Sequence, residues 1–403
     1  MMKRILVFLA LGLICLSMKS YGSTQLQANH TQLIRVALVK EDKALKQFGI
    51  AIRGEYYIFN PQSQEMLSKG RTINYAVVKL EGGKLKVGAE NFSVNHLRFV
   101  SHKFMAVHLG DKTIKFRGYI DVLVKKNNRL VILNVVPIEE YVKGILYHEL
   151  PSKPPAPLET MKAQAVASRT YAMYQIEENK KKDFDVTSDI YSQVYGGKSA
   201  ERFRSNIAVI KTKGEVLTYK GKVLPAYFHS TCGGHTEDVR ELWNQDLPPL
   251  YGVKCDYCQL APLSNWKKNF RSSDIQNKLK TNGYHLGPIV NIRVIDRNTS
   301  GRNRNLEMTT LDGQKVIITG KKFREIIGPN EIKSNKYEIQ MKGYFFDVLG
   351  KGWGHGVGMC QWGAFYMAHE RFNYKEILNY YYPGARLVNL FTDAPLSAEE
   401  SGF

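Results

Sequence analysis

The chain has 403 residues, 43% of them hydrophobic, which is enough for a large core and more than one subdomain. A formal net charge of +20 calls for an anionic partner or matrix. No nucleic-acid motif accompanies that charge, and no apolar run is long enough to span a bilayer comfortably, so neither a nucleic-acid partner nor a transmembrane anchor is expected.

Residues 1–22 read as a signal peptide: Lys3 and Arg4 form a basic start, Ile5 to Leu16 an apolar core, and Ser20-Tyr21-Gly22 a small-x-small cleavage site. Cys15 follows the bulky Ile14, which argues against a lipoprotein site. The expected product begins near Ser23 and is exported to the periplasm, cell envelope or extracellular space. Without Lys3, Arg4 and Lys19 the net charge is +17. Without Cys15 the cysteines are Cys232, Cys255, Cys258 and Cys360, an even set that permits disulfides outside the cytoplasm.

Residues 31–135 are strand-rich. Ile34 to Val39, Tyr56 to Phe59, Leu85 to Val87 and Val122 to Val124 are short β-branched or aromatic runs, separated by Gly-Glu, Asn-Pro, Gly-Gly and Lys-Asn-Asn-Arg turns. The part from 30 to 110 forms a β-rich N-terminal region with no chemical motif.

Residues 134–174 then predict a helix, a Pro-rich break and a second helix. Ile138, Val142, Ile145 and Leu146 recur at helical spacing behind Pro137, and Pro151, Pro154, Pro155 and Pro157 keep the chain extended up to Leu158. Met161, Ala165, Ser168 and Ala172 form a stripe of small residues on the second helix, and Lys162 and Arg169, seven apart, share one side. Glu149 sits at the exit of the first helix, where the helix dipole disfavours a carboxylate. Sheltered from water, its pKa would rise into the range of a general acid; otherwise it is a surface residue beside a proline turn.

Further along, Lys180 to Lys182 read as a solvated helix end. The segment Ala226 to Thr236 contains His229, Cys232 and His235 in an H-x-x-C-x-x-H arrangement, and Cys255 and Cys258 follow as C-x-x-C. Three thiolates with His229 or His235 as the fourth ligand can hold structural zinc. A Cys232–Cys255 or Cys232–Cys258 disulfide is the competing reading. Residues 265–345 carry strands at Ile289 to Val294 and Lys315 to Ile318 and a helix at Lys322 to Ile327. Gly350 to Gly358 repeats glycine at alternate positions, which lets backbone approach backbone or ligand closely; no Gly-Lys-Ser/Thr ends it, so it is not a phosphate loop.

These segments resemble the stage II sporulation protein D (SpoIID/LytB domain) family in order. The likeness is carried by Glu140-Tyr141, Gly144, Glu149-Leu150-Pro151, Met161 to Ala165, Arg169 to Ala172, the S-Q-x-Y element at Ser192 to Tyr195, and the H-S-T-x-G-G stretch from His229. It continues through Ser300-Gly301-Arg302, Phe323 to Gly328, the glycine repeat through Ala364 and Tyr380 to Gly384, covering about 115–390. Leu150 and Met161 replace Met and Leu of the family pattern, and Cys360 replaces Ser. The resemblance implies an α+β fold, a β-rich N-terminal part followed by a SpoIID-like domain over 111–390 with a central helical pair, and a C-terminal tail at 391–403.

It further implies a lytic transglycosylase acting on peptidoglycan glycan strands, between N-acetylmuramic acid and N-acetylglucosamine. Glu149 would be the single general acid and base, and no cofactor would take part in the chemistry. Lys162, Arg169, Gln193, Tyr195 and His355 would contact sugar. Gln193 and Tyr195 equally suit a strand edge and turn, and His355 a structural role. A hydrolytic outcome would make Glu140 or Asp189 the second carboxylate. Relatives described as amidase enhancers imply the alternative of a non-catalytic wall-binding protein that stimulates an amidase or other wall hydrolase.

Overall fold

The computed structural model describes residues 32–125, 128–150, 155–189 and 192–392. The expected signal peptide, Pro151 and Pro154 of the break, and all but the first two residues of the expected tail lie outside them. The chain forms two compact units. One contains the described residues up to Tyr141 together with Asn179–Ser199; the other contains Val142–Glu178 and the described residues from Ala200 onward. Strands and helices occur in both halves of the chain, and the fold is α+β.

The first unit is built on an eleven-stranded sheet. Its path runs through Val186–Thr187, Leu33–Val39, Leu130–Pro137, Tyr119–Val124, His96–Ser101, Gln47–Asn60, Glu65–Glu81, Lys84–Val87 and Glu90–Phe92. Met105–Leu109 pairs with the free stretch of Gln47–Asn60 and with Lys112–Phe116. The sheet therefore continues well past residue 110. Alternation drives it: Ile34, Val36, Ile50, Ile52, Leu97, Phe99, Ile120 and Val122 are all buried, every second residue turning inward. All pairings are antiparallel except Val186–Thr187 on Leu33–Val39.

Helix α1 is Ile138–Glu149 and α2 is Leu158–Glu178, as the spacing predicts. The remaining helices are α3 (Phe203–Lys211), α4 (Val239–Trp243), α5 (Ser272–Thr281), α6 (Gly320–Ile327), α7 (Gln361–His369) and α8 (Tyr374–Tyr381). On α2 the small residues are not confined to a stripe: Ala163, Ala165, Val166, Ala167, Ser168 and Ala172 are buried on several faces. A helix buried all round is a central element, and α3, α7, α8 and strand Glu215–Tyr219 surround it.

Among the described residues, two apolar cores lie in the second unit. One gathers Ala163, Val166, Leu217, Val357, Met359 and Tyr381 around α2. The other gathers Trp266, Ile292, Leu306, Phe323 and Phe346 between two three-stranded sheets, Asn265–Arg271 with Phe345–Lys351 and Tyr337–Lys342, and Ile289–Arg297 with Asn303–Thr310 and Lys315–Thr319. No helix among the described residues is long and apolar enough to cross a membrane.

Candidate functional site

Glu149 is the last residue of α1 and is half-buried. Its helix is anchored by Ile145 and Leu146, both fully buried. The two cations of α2 do share a side, as their spacing requires, but both are already engaged. Lys162 Nζ lies 2.6 Å from Glu159 Oε1 and 5.2 Å above the Tyr374 ring. Glu159 also accepts from the Tyr374 amide, and Tyr374 Oη donates to Glu215. Arg169 is 0% exposed and donates to the carbonyls of Glu215 and, at 3.5 Å, Val209. Full burial against backbone acceptors makes Arg169 a strut between α2, α3 and strand Glu215–Tyr219, which corrects its expected contact with sugar.

Gln193 and Tyr195 call for the same correction. Both are buried in the first unit. Gln193 Oε1 accepts from Tyr141 Oη at 2.9 Å, and Tyr195 Oη donates to Asn134 Oδ1 at 2.6 Å. Asn134 in turn donates to the carbonyls of Arg117 and Tyr119. Buried polar groups need partners, and here they satisfy one another. Of the reserve carboxylates, Glu140 pairs with Arg117 and Asp189 accepts from Thr187.

The glycine repeat packs backbone on backbone. Strand Phe228–His229 runs parallel to Met359–Cys360. Gly358 has φ +72°, and a Cβ there would fall 2.0 Å from the Tyr227 carbonyl oxygen. A Cβ on Gly356 would strike the Arg302 guanidinium at 2.5 Å. Arg302, 1% exposed, donates to the carbonyls of Cys232 and His235 and faces the equally buried Glu237 across 4.0 Å. Glu237 accepts from Asn298 and from the Asp238 amide. Burial raises its pKa against the opposing pull of Arg302. The Ser-Gly-Arg motif at 300–302 thus clamps the His229 to His235 stretch to the glycine loop. The polar motif residues of α2 serve the same junction: Gln361 donates to Gln164, and Thr160 to the Ala364 carbonyl.

His229 and His355 bracket Val357. The Val357 amide donates to His355 Nδ1 at 3.1 Å, and His229 Nδ1 donates to the Val357 carbonyl at 3.2 Å. These bonds select opposite neutral tautomers. Burial, then the charges of Arg324 and Arg302, push His355 down to about 4. Burial, then His355 and Arg302, push His229 well below its ordinary value. The His355 ring lies 5.3 Å from Trp243 and 6.2 Å from Tyr227, which themselves stack at 4.3 Å.

The cysteines form a closed set. The sulfurs of Cys232, Cys255, Cys258 and Cys360 all lie within 4.8 Å of one another, and all four are buried and free of disulfides. The fourth member is Cys360, which corrects the expected His229 or His235. His229 is turned to Val357 and His235 Nδ1 to the Thr236 carbonyl. A tetrahedron of Zn–S bonds of ~2.3 Å has edges of ~3.8 Å, so the four sulfurs fit a zinc ion without large movement. Cys360 also caps α7, its Sγ accepting from the Gly363 amide and from the Cys232 amide at 3.3 Å each. Amide donors at a helix start favour a thiolate. Hydrogen bonds from Cys232, Cys255 and Cys360 lower the Cys258 pKa, whereas burial and then the neighbouring sulfurs raise that of Cys360.

In the second unit, Thr160 and Gln164 of α2 thus brace the segment that follows the glycine loop, beside the cluster of four sulfurs. Residues 126–219 match the family described as Stage II sporulation protein, and 258–358 match a domain of unknown function, DUF8618. The chain is 32% identical over 266 residues to the Stage II sporulation protein D of Bacillus amyloliquefaciens, covering 62% of this chain and 73% of that relative. An uncharacterised protein of Brachyspira hyodysenteriae is 34% identical over 343 residues, 85% of this chain and 90% of its own. An amidase enhancer of Bacillus subtilis is 25% identical over 388 residues, 84% of this chain but 52% of that longer protein. The chain belongs to the stage II sporulation protein D family.

Proposed function

We propose that the protein is an exported, cell-wall-associated enzyme that cleaves peptidoglycan glycan as a lytic transglycosylase. The observation that carries the reading is the position of Glu149, half-buried at the carboxyl end of α1 in the unit that also holds α2 and the glycine loop. Lytic cleavage needs one carboxyl group where hydrolysis generally uses two. Glu149 gives its proton to the glycosidic oxygen as the C1–O bond breaks. The carboxylate then takes the proton of the muramoyl C6 hydroxyl as that oxygen bonds to C1, which leaves a 1,6-anhydro end and restores the acid.

Tyr227, Trp243 and His355 supply an aromatic surface suited to a sugar ring, and the neutral His355 acts there as a hydrogen-bonding group rather than a charge. Lys162 holds Glu159 and Tyr374, and Arg169, Gln193 and Tyr195 hold the scaffold. Cys232, Cys255, Cys258 and Cys360 would hold zinc, which supplies cross-linking rather than chemistry: four sulfur ligands leave no open position. Incubation of wall glycan with wild type and with Glu149→Gln, followed by mass spectrometry, tests this reading. Anhydro-muramoyl products from wild type alone are expected; products from Glu149→Gln, or reducing ends, would overturn it.

The likeness to an amidase enhancer along 84% of this chain favours a second reading, wall binding that stimulates a partner amidase. Binding without released fragments would decide for it.

A further inference from the structure

The sheet of the first unit has one face that packing does not explain. On strands Gln47–Asn60, Met105–Leu109 and Lys112–Phe116, the inward residues Ile50, Ile52, Met105, Val107 and Phe116 are buried core. The outward face alternates with them, and its centre carries Gly49, Ala51 and Ala106, with Ala51 paired to Ala106 and Gly49 to His108. Gly and Ala are poor strand formers, and a solvent-facing position ordinarily takes a longer side chain. Here they make a low floor.

Larger groups stand around that floor. A Cβ on Gly49 would meet the Tyr75 ring at 2.7 Å, so the ring lies over the glycine; it packs edge-on to His108 at 5.2 Å and remains 60% exposed. Phe104 holds two ammonium groups at the rim, Lys115 at 5.0 Å and Lys198 at 5.6 Å from its centroid. Arg53 and Asn74 complete the lining of a cleft of about 440 Å³, within the range of small-molecule sites. Among the described residues none of Arg53, Lys115 and Lys198 is in an ion pair, and the cleft lining contains no acid.

We propose that this cleft binds a carboxylated pyranose. The exposed face of Tyr75 meets the C–H face of the ring, the small floor admits it, Asn74 and His108 serve its hydroxyl or amide groups, and Arg53 with Lys115 takes the carboxylate. In a wall-associated protein the matching unit is a muramoyl residue whose lactyl carboxylate is free. Glu149 does not line this cleft, and binding there does not depend on cleavage occurring.

Equilibrium dialysis of the mature full-length protein against N-acetylmuramic acid tests it, with N-acetylglucosamine and N-acetylglucosamine 6-phosphate as neutral and phosphate arms. Wild type and Glu149→Gln should bind N-acetylmuramic acid alike. Arg53→Ser and Tyr75→Ser, both at exposed positions, and Ala51→Leu, which fills the floor, should each weaken binding about tenfold. Wild-type affinity in those variants, equal binding of the neutral sugar, or preference for the phosphate would overturn the proposal. Loss of cleavage in Glu149→Gln with this binding intact separates the two sites.

Discussion

The two units keep their shape by different means. In the first, one sheet of eleven strands alternates apolar and polar residues, and side chains of its own strands hold the buried polar groups: Arg98 and His96 hold Asp121, Arg35 holds Asp185, and Asn134 holds Tyr195. In the second, the sheets have two or three strands, and buried arginines and a sulfur cluster hold the backbone between them: Arg169 donates to the Glu215 carbonyl, Arg302 to that of Cys232, and Cys232 sits in one cluster with Cys360. A sheet of that size can rest on repeated strand pairing. Small sheets joined by a glycine loop need cross-links, and the buried arginines and sulfurs supply them.

The comparison can be broken most forcefully at Glu149. Glu149→Gln should lower glycan cleavage by about 10²- to 10⁴-fold, the usual share of a general acid and base, with unchanged thermal unfolding. Arg302→Met should come next: it strands Glu237 and unties the carbonyls of Cys232 and His235, at about 3–5 kcal/mol in a denaturant titration. Cys360→Ser, which restores the residue usual in the family, keeps the α7 cap but removes a sulfur. Zinc retained per chain should fall, and chelation, which should lower the melting temperature of wild type, should have little further effect on the variant. Tyr195→Phe leaves Asn134 Oδ1 without its donor inside the first unit and should cost about 1–3 kcal/mol, without affecting metal content.

Acid should produce the mildest change. The pKa of His355 is depressed to about 4 in the folded chain, against ~6.5 unfolded. The unfolded chain therefore binds more protons between those values, and stability falls as pH drops through that window. His229 adds to the same trend. A His355→Phe variant should show a flatter melting temperature between pH 6.5 and 4; an unchanged slope would remove His355 from this role.

Local pattern made much of this legible. Spacing of Ile138, Val142 and Ile145 marks α1, proline and alanine content marks α2, and the alternate glycines announce a close backbone approach that the Gly358–Tyr227 contact bears out. Gln193 and Tyr195 were not legible in the same way. Their residue types suit a sugar as well as a neighbour, and only the fold supplies Tyr141 and Asn134. The fourth sulfur was missed because chain proximity favours His229 and His235, whereas Cys360 stands 128 residues beyond Cys232. Its signal was present in the even cysteine count and in the exchange of Ser for Cys.

The order of residues by itself determined the periodicities, the turns and the membership of a family, because those depend on spacing within a few residues. Which polar groups are buried, which sulfur completes the cluster and which outward face of a sheet is left hollow were decided only when distant segments packed. Burial and partner distance are properties of the folded chain, and they determine whether the same side chain braces the scaffold or meets a ligand.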